Sequence, residues 1–405
     1  MLKIGIECES IEGKQWGVGR IVSKLLEDIS LRPDLATEFK FYLYFKSRIP
    51  DLPCLENPIF VKTLVGQLVE PVLPGGAAAV PFSLYYYLLL PLRLRSDGLD
   101  ATYFPNYMLP MLFSGKSVVD LTEDVHHEAH YGSNPFLWRL AFRVFCRWAA
   151  KHGTKIETFT ESSRKELARL YEIPLEKIAV NYHGVNVSLA GNGHGAGRNG
   201  REPYILYFGQ AFPRRHLKET MLAFEIVARR LPALRLIAVG HDRYNPPVIK
   251  KLQEAINERL GREAIVYKEY VPEAERDALF SGAQALVYIS TKEAFGLPPL
   301  EALGYGTVPI VARTATTEEL LADKAFFVND PESVESIADC MVEALTNHKK
   351  RDEIRKSGPE MVGQYSWQAH TDRFLEILRT LCATERERSG APRLSGQGAK
   401  SFHHR

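Results

Sequence analysis

Paired cysteines, net charge and long apolar runs are all scarce in this sequence of 405 residues. The five cysteines, Cys8, Cys54, Cys146, Cys340 and Cys382, are scattered and form no Cys-x-x-Cys pair, which argues against a disulfide framework or a zinc site. A reducing cytoplasm is the expected compartment. With 51 Lys and Arg against 49 Asp and Glu, the net charge is only +2, so no global field draws the chain to nucleic acid. The most apolar stretch, Tyr85 to Leu92, is broken by Pro91 and followed by Arg93 and Arg95. It falls well short of the roughly 20 apolar residues of a membrane-spanning helix. The opening MLKIGIE reads as a strand, without the basic, apolar and small-residue order of a signal peptide.

What is present is core-forming material in an alternating order. Apolar residues make up 45% and charged residues 25%, the balance of a globular chain, and the length suits two domains. Short β-rich runs (LKIGIE, FKFYLYF, ATYF, SVVDL, KIETFT, IAVNYH) alternate with helical patterns near 18–30, 80–95 and 135–151. That rhythm predicts parallel sheets covered by helices, an α/β fold of two doubly wound domains. Ser163 and Glu166 have capping-box spacing and are expected to open a helix ending near Tyr171. Residues 191–201 hold five glycines and no large apolar residue, the composition of a linker. Beyond it YILYFG, LRLIAVG, IVYKEY, ALVYIS and VPIVA restart the rhythm through residues 202–365. A last helix over 366–383 is expected to pack back on the first domain (1–190), and the polar, basic 384–405 should form a disordered tail.

The sharpest motif is Glu293-Ala-Phe-Gly-Leu-Pro-Pro-Leu-Glu301, directly after ALVYIS. Pro298 and Pro299 suit a first helical turn, leaving the amides around Phe295, Gly296 and Leu297 to face hydroxyls or oxyanions. The segment resembles the paired-glutamate motif of the family four retaining glycosyltransferases, whose fold is called GT-B. The resemblance implies that Glu293 contacts the transferred sugar and Glu301 holds the ribose hydroxyls of the donor. Carboxylates accept paired hydroxyls well.

Two further turns carry the resemblance. Gly17-Val18-Gly19-Arg20 follows the first strand as that family's N-terminal glycine loop does, which implies the Gly17 amide against a diphosphate. Tyr207-Phe208-Gly209-Gln210-Ala211-Phe212-Pro213-Arg214-Arg215-His216 places cations at a helix start, where leaving-group charge could be neutralised without a metal. Arg215 falls where the family carries a lysine. Gln210 departs from the pattern, since an arginine often follows the glycine.

On the acceptor side, Asn106 and the run Val118 to Glu128 resemble the family's catalytic stretch, with Asp120 in place of its aspartate and Val119 in place of its histidine. His126 or His127 could supply the missing contact, and Asp124 could pair with Asp120 to accept an acceptor proton. His183-Gly184-Val185 matches a closing signature that shapes the hinge, and Tyr365-Ser366-Trp367 the start of the final helix.

The implied activity is metal-independent, retaining hexosyl transfer, mannose favoured, in polysaccharide or lipopolysaccharide assembly. No Asp-x-Asp motif occurs and no cofactor is expected. The donor is a nucleotide diphosphate sugar, GDP-mannose ahead of rhamnose or glucose donors, and the acceptor a glycan, lipid-linked at the inner membrane face. Alternatives are a non-catalytic sugar-nucleotide-binding protein or another GT-B enzyme such as an epimerase. Arg139, Arg143, Arg147 and Lys151 recur beside Trp138, Phe142, Phe145 and Trp148. This reads first as a core-packing helix with a solvated face, and second as a peripheral contact of 135–151 with anionic lipid.

Overall fold

The computed structural model describes residues 1–13, 17–69, 80–132, 135–186 and 202–383. The expected linker and tail lie outside the described residues. Seven strands, β1 (Leu2–Glu7), β2 (Phe39–Phe45), β3 (Phe60–Leu64), β4 (Ala101–Phe104), β5 (Ser117–Asp120), β6 (Lys155–Thr158) and β7 (Ile178–Val180), form one parallel sheet in the order 3-2-1-4-5-6-7. Six more, β8 (Tyr204–Phe208), β9 (Arg235–Val239), β10 (Ile265–Lys268), β11 (Ala285–Tyr288), β12 (Val308–Ala312) and β13 (Phe326–Val328), form a second in the order 10-9-8-11-12-13. β4, β5, β11 and β12 are buried at every residue, as strands covered by helices on both faces must be.

Each sheet reverses its winding once, between β1 and β4 in the first lobe and between β8 and β11 in the second. Ligand crevices open outside the carboxyl ends of strands at such points. The glycine loop follows β1, and the two motifs at 209–216 and 293–301 follow β8 and β11, so all three lie at a reversal.

The helix at Glu161–Tyr171 opens one turn earlier than Ser163 and Glu166 suggested. Thr160 is the cap, its hydroxyl accepting from the Ser163 amide at 3.1 Å. Ser163 thus sits at the third helical position, and its own hydroxyl turns to the carbonyl of Ala294 in the other lobe, 3.3 Å away. Helix Trp367–Cys382 returns to the first lobe, where Phe374, Leu375, Ile377, Leu378 and Leu381 join the core of β1 and β2. Arg32–Asp372 and Arg379–Glu38 ion pairs flank it. Where the chain passes between lobes, the Val185 amide donates to the Tyr365 carbonyl at 2.8 Å, and His183 is buried among Phe159, Phe295 and His370.

Candidate active site

A cavity of about 1670 Å³ runs between the lobes, walled by Gly17, Arg20, Asp124 and Glu128 on one side and Gln210, Arg214, Arg215, Leu297 and Glu301 on the other. The two motif turns of the second lobe meet directly. Arg215 Nε donates to Glu293 Oε1 at 2.5 Å, and the same oxygen accepts from the Tyr288 hydroxyl at 3.0 Å and Ser290 Oγ at 2.9 Å. Arg215 also lies 5.3 Å from the Tyr288 ring, so its guanidinium is held from two sides. Burial alone would raise the Glu293 carboxyl, but Arg215, Arg214 and the hydrogen bonds override it and hold the group at about 2. Glu293 is therefore an anion at neutral pH, able to accept hydroxyls and unable to act as a proton donor. It stands behind Arg215, with Arg215 on the cavity wall.

Arginine links the lobes twice. Arg214, second lobe, donates to Glu128 at 2.8 Å and to Asp124 at 3.3 Å, both on the first-lobe helix Glu123–Tyr131, while its Nε bonds the Lys292 carbonyl. Arg20, first lobe, donates to Glu301 Oε1 at 3.0 Å, and Arg276 lies 3.9 Å from the same oxygen. Glu301 is 3% exposed, so its charge is matched by cations from both lobes. Glu319 adds a third link, accepting from the Glu161 and Ser162 amides and the Tyr182 hydroxyl at 2.7–2.8 Å.

Glycine is required at two of these turns by backbone conformation. Gly17 caps the helix Val18–Ser30 at φ 50°, and Gly296 caps Leu297–Gly304 at φ 83°. A Cβ would meet nothing within 4 Å at either place, so what excludes larger residues is the left-handed φ.

The structure separates several of the other expected residues from the cavity. Asp120 is 2% exposed, accepts from the Tyr103 hydroxyl at 2.8 Å and stands in register with Glu157 on β6. Burial, then the neighbouring Glu157, raises its carboxyl far above the usual range. Asn106 is turned to Glu7, donating at 2.5 Å. His126 stacks on His130 at 4.0 Å and faces Tyr171. Burial, then His130, lowers it to about 4, so it is neutral. Phe295 packs against His183 and Tyr365 at the hinge. Of the acceptor-side residues, Asp124 alone reaches the cavity, beside Glu128. Sequence reasoning passed over Glu128, Arg20 and Arg276 as site residues. Arg20 follows Gly17 by three positions, one helical turn, which was a usable signal, whereas Arg276 in EAERDALFSG looks like any surface arginine.

Residues 194–361 match the family described as Glycosyl transferases group 1. Among curated proteins, the O-antigen chain mannosyltransferase B of Escherichia coli is 28% identical over 244 residues, 56% of this chain and 60% of that protein. The GDP-mannose:cellobiosyl-diphosphopolyprenol alpha-mannosyltransferase of Xanthomonas oryzae pv. oryzae is 27% identical over 285 residues, 69% of this chain and 71% of that one. The match thus spans less than two thirds of the first relative. Sucrose-phosphate synthase from Thermosynechococcus elongatus superposes with a TM-score of 0.71 at 15% identity, covering 94% of this chain and 99% of that one. WaaG, a glycosyltransferase involved in lipopolysaccharide biosynthesis, superposes at 0.66 with 18% identity, covering 93% and 99%. With two Rossmann-like lobes facing across a cleft and the group 1 glycosyl transferase match in the second, the chain is a GT-B protein resembling the bacterial polysaccharide mannosyltransferases.

Proposed function

We propose that the chain is a retaining, metal-independent glycosyltransferase that moves a hexose, mannose favoured, from a nucleotide diphosphate sugar to a hydroxyl of a growing, lipid-linked glycan. The observation that carries this reading is the Glu293–Arg215 pair, whose Arg215 faces one cavity that both lobes wall. An activated sugar brings a diphosphate whose charge grows as the glycosidic bond breaks, and a fixed guanidinium in a cleft stabilises that charge with little reorganisation. Glu293, held ionised, accepts sugar hydroxyls and keeps Arg215 in place. The acceptor hydroxyl attacks from the face the leaving diphosphate departs, and the diphosphate oxygen takes its proton, so no protein nucleophile is assigned. Positioning across the cleft is the protein's part. Asp124 and Glu128, on the first-lobe wall of the same cavity, are the residues we assign to the acceptor side.

GDP-mannose is the favoured donor because the Xanthomonas relative is named for it. Turnover of GDP-mannose, UDP-glucose and dTDP-rhamnose with a polyprenyl-diphosphate glycan acceptor, followed by NMR of the product anomer and repeated in EDTA, tests the reading. Transfer with retained configuration that persists in EDTA and disappears in Glu293→Ala is expected. Tight donor binding without transfer to any glycan would point to a sugar-nucleotide-binding protein instead, and an inverted product would refute retention.

A further inference from the structure

The loop after β9 brings a further cation to the wall of the cavity, beside the Gln210 amide of the loop after β8. Gln210 Oε1 accepts from Arg243 Nε at 3.2 Å, while the backbone carbonyl of Gln210 accepts from Arg215 Nη1 at 3.1 Å. One residue thus tethers two guanidiniums from two different loops, and Gln210, Arg215 and Arg243 all line the cavity. The backbone explains how the loops come so close. Gly240 directly follows β9 at φ 146°, and a Cβ there would sit 1.8 Å from the Gly209 carbonyl oxygen. Below that contact the Ala211 amide donates to the His241 carbonyl at 2.9 Å and the Arg243 amide to the Ala211 carbonyl at 3.2 Å. Asp242 is fixed in turn, accepting from the Val248 and Ile249 amides at 2.8 and 2.9 Å. Arg243 therefore springs from an anchored turn.

Charge pairing sets Arg243 apart. Arg20 is paired with Glu301, Lys24 with Glu27, Arg214 with Asp124 and Glu128, Arg215 with Glu293, and Arg276 with Asp277. Among the described residues, Arg243 is the cation on this wall that has no carboxylate partner, and a neutral amide aims it. An arginine held by an uncharged acceptor keeps its charge and its remaining donors for an anion.

We infer that Arg243 contacts the donor's diphosphate at the distal phosphate, from which the sugar departs, and that Gln210 is its positioning residue. The inference rests on the donor reading above and adds the residue that supplies the second cation beside Arg215. Calorimetric titration of the full chain with GDP, UDP, GMP and UMP, on wild type, Arg243→Gln and Gln210→Arg/Arg243→Gln, tests it. Losing one charge-assisted hydrogen bond of about 1.5–3 kcal/mol predicts diphosphate affinity lower by about 10- to 100-fold in Arg243→Gln. Monophosphate affinity should stay within about twofold. Moving the guanidinium to position 210 in the double variant should restore diphosphate binding. A diphosphate affinity unchanged in Arg243→Gln overturns the assignment, as does an equal loss for mono- and diphosphates that Gln210→Arg leaves in place, the mark of a disordered loop. A wild-type chain that binds no nucleoside diphosphate overturns the donor reading as well, whereas binding indifferent to Arg243 overturns only this step.

Discussion

Replacing Glu293 by Gln keeps the side chain's shape and removes its charge, which isolates what the carboxylate does for Arg215. Burial pushes the carboxyl up, and Arg215, Arg214 and Ser290 pull it from 4.5 down to about 2. At roughly 1.4 kcal/mol per unit, that difference favours the ionised form by about 3 kcal/mol. Glu293→Gln should therefore cost about 3 kcal/mol, part of it from leaving Arg215 buried without a counter-charge. Arg215→Gln should cost a similar amount, and the double variant much less than the sum, because the two losses are one interaction. Urea unfolding at pH 7 of wild type, both single variants and the double gives a thermodynamic cycle with an expected coupling of about 3 kcal/mol. Costs that add to within about 0.5 kcal/mol would refute the claim that this pair is a unit. The folded carboxyl titrates below its unfolded value, so its contribution is complete above about pH 4.5 and is lost as the pH falls toward 2. Glu293→Gln should flatten that acid arm of the stability profile.

Three further outcomes are expected. Arg214→Ala removes the ion-pair partner that Asp124 and Glu128 share across the cleft and should cost about 3 kcal/mol. Small-angle scattering should show a larger radius of gyration, and an unchanged radius and melting temperature would count against the clasp. Glu7, buried and bonded to Tyr85 and Asn106, has its carboxyl pushed up to about 8 by burial. The folded chain keeps a proton that the unfolded chain releases above about 4.5, so this stability is full below pH 4.5 and lost as pH rises to 8. Glu7→Gln should flatten the decline in melting temperature between pH 5 and 8, and parallel curves for the two proteins would contradict the argument. Phe136, Leu137, Leu140 and Val144 are exposed along one helix with Arg147 and Lys151, so the chain should co-sediment with vesicles containing phosphatidylglycerol. Leu137→Glu/Leu140→Glu should abolish co-sedimentation, and binding indifferent to that change would exclude this face.

The alternation of strands and helices was legible because parallel strands buried on both faces read as short apolar runs, and the helices between them keep an amphipathic period. Helix Val18–Ser30 and the helix starts after β8 and β11 fall where the pattern put them. The helix Glu123–Tyr131 was not read, since EDVHHEAHY buries only Glu123 and Ala129 and shows no apolar period. At the cavity, the turns that follow β8 and β11 were readable because a glycine, prolines and charges cluster within ten residues. The cross-lobe pairs were not. Arg20 and Glu301 are 281 positions apart, and no local pattern carries a contact that only the hinge creates. Asp120 looked accessible as a charge at a strand end. Its strand, however, lies inside the sheet between β4 and β6, and the neighbouring carboxylate of Glu157 comes from a segment the local pattern does not connect to it. Arg139 and Arg143, read as part of a charged face, instead donate to the carbonyls of Ala129, His130 and Gly132 that end the preceding helix. The outward face of that helix begins apolar.

The return of the last helix has a mechanical consequence. Val185, at the end of the first lobe, is bonded to Tyr365, just before the last helix turns back, so the two lobes are tied at one edge. The return also means the front half borrows part of its interior from the tail end. Cutting the chain near residue 365 would strip Phe374, Leu375 and Leu378 from that interior, so neither half should be obtainable by simple truncation.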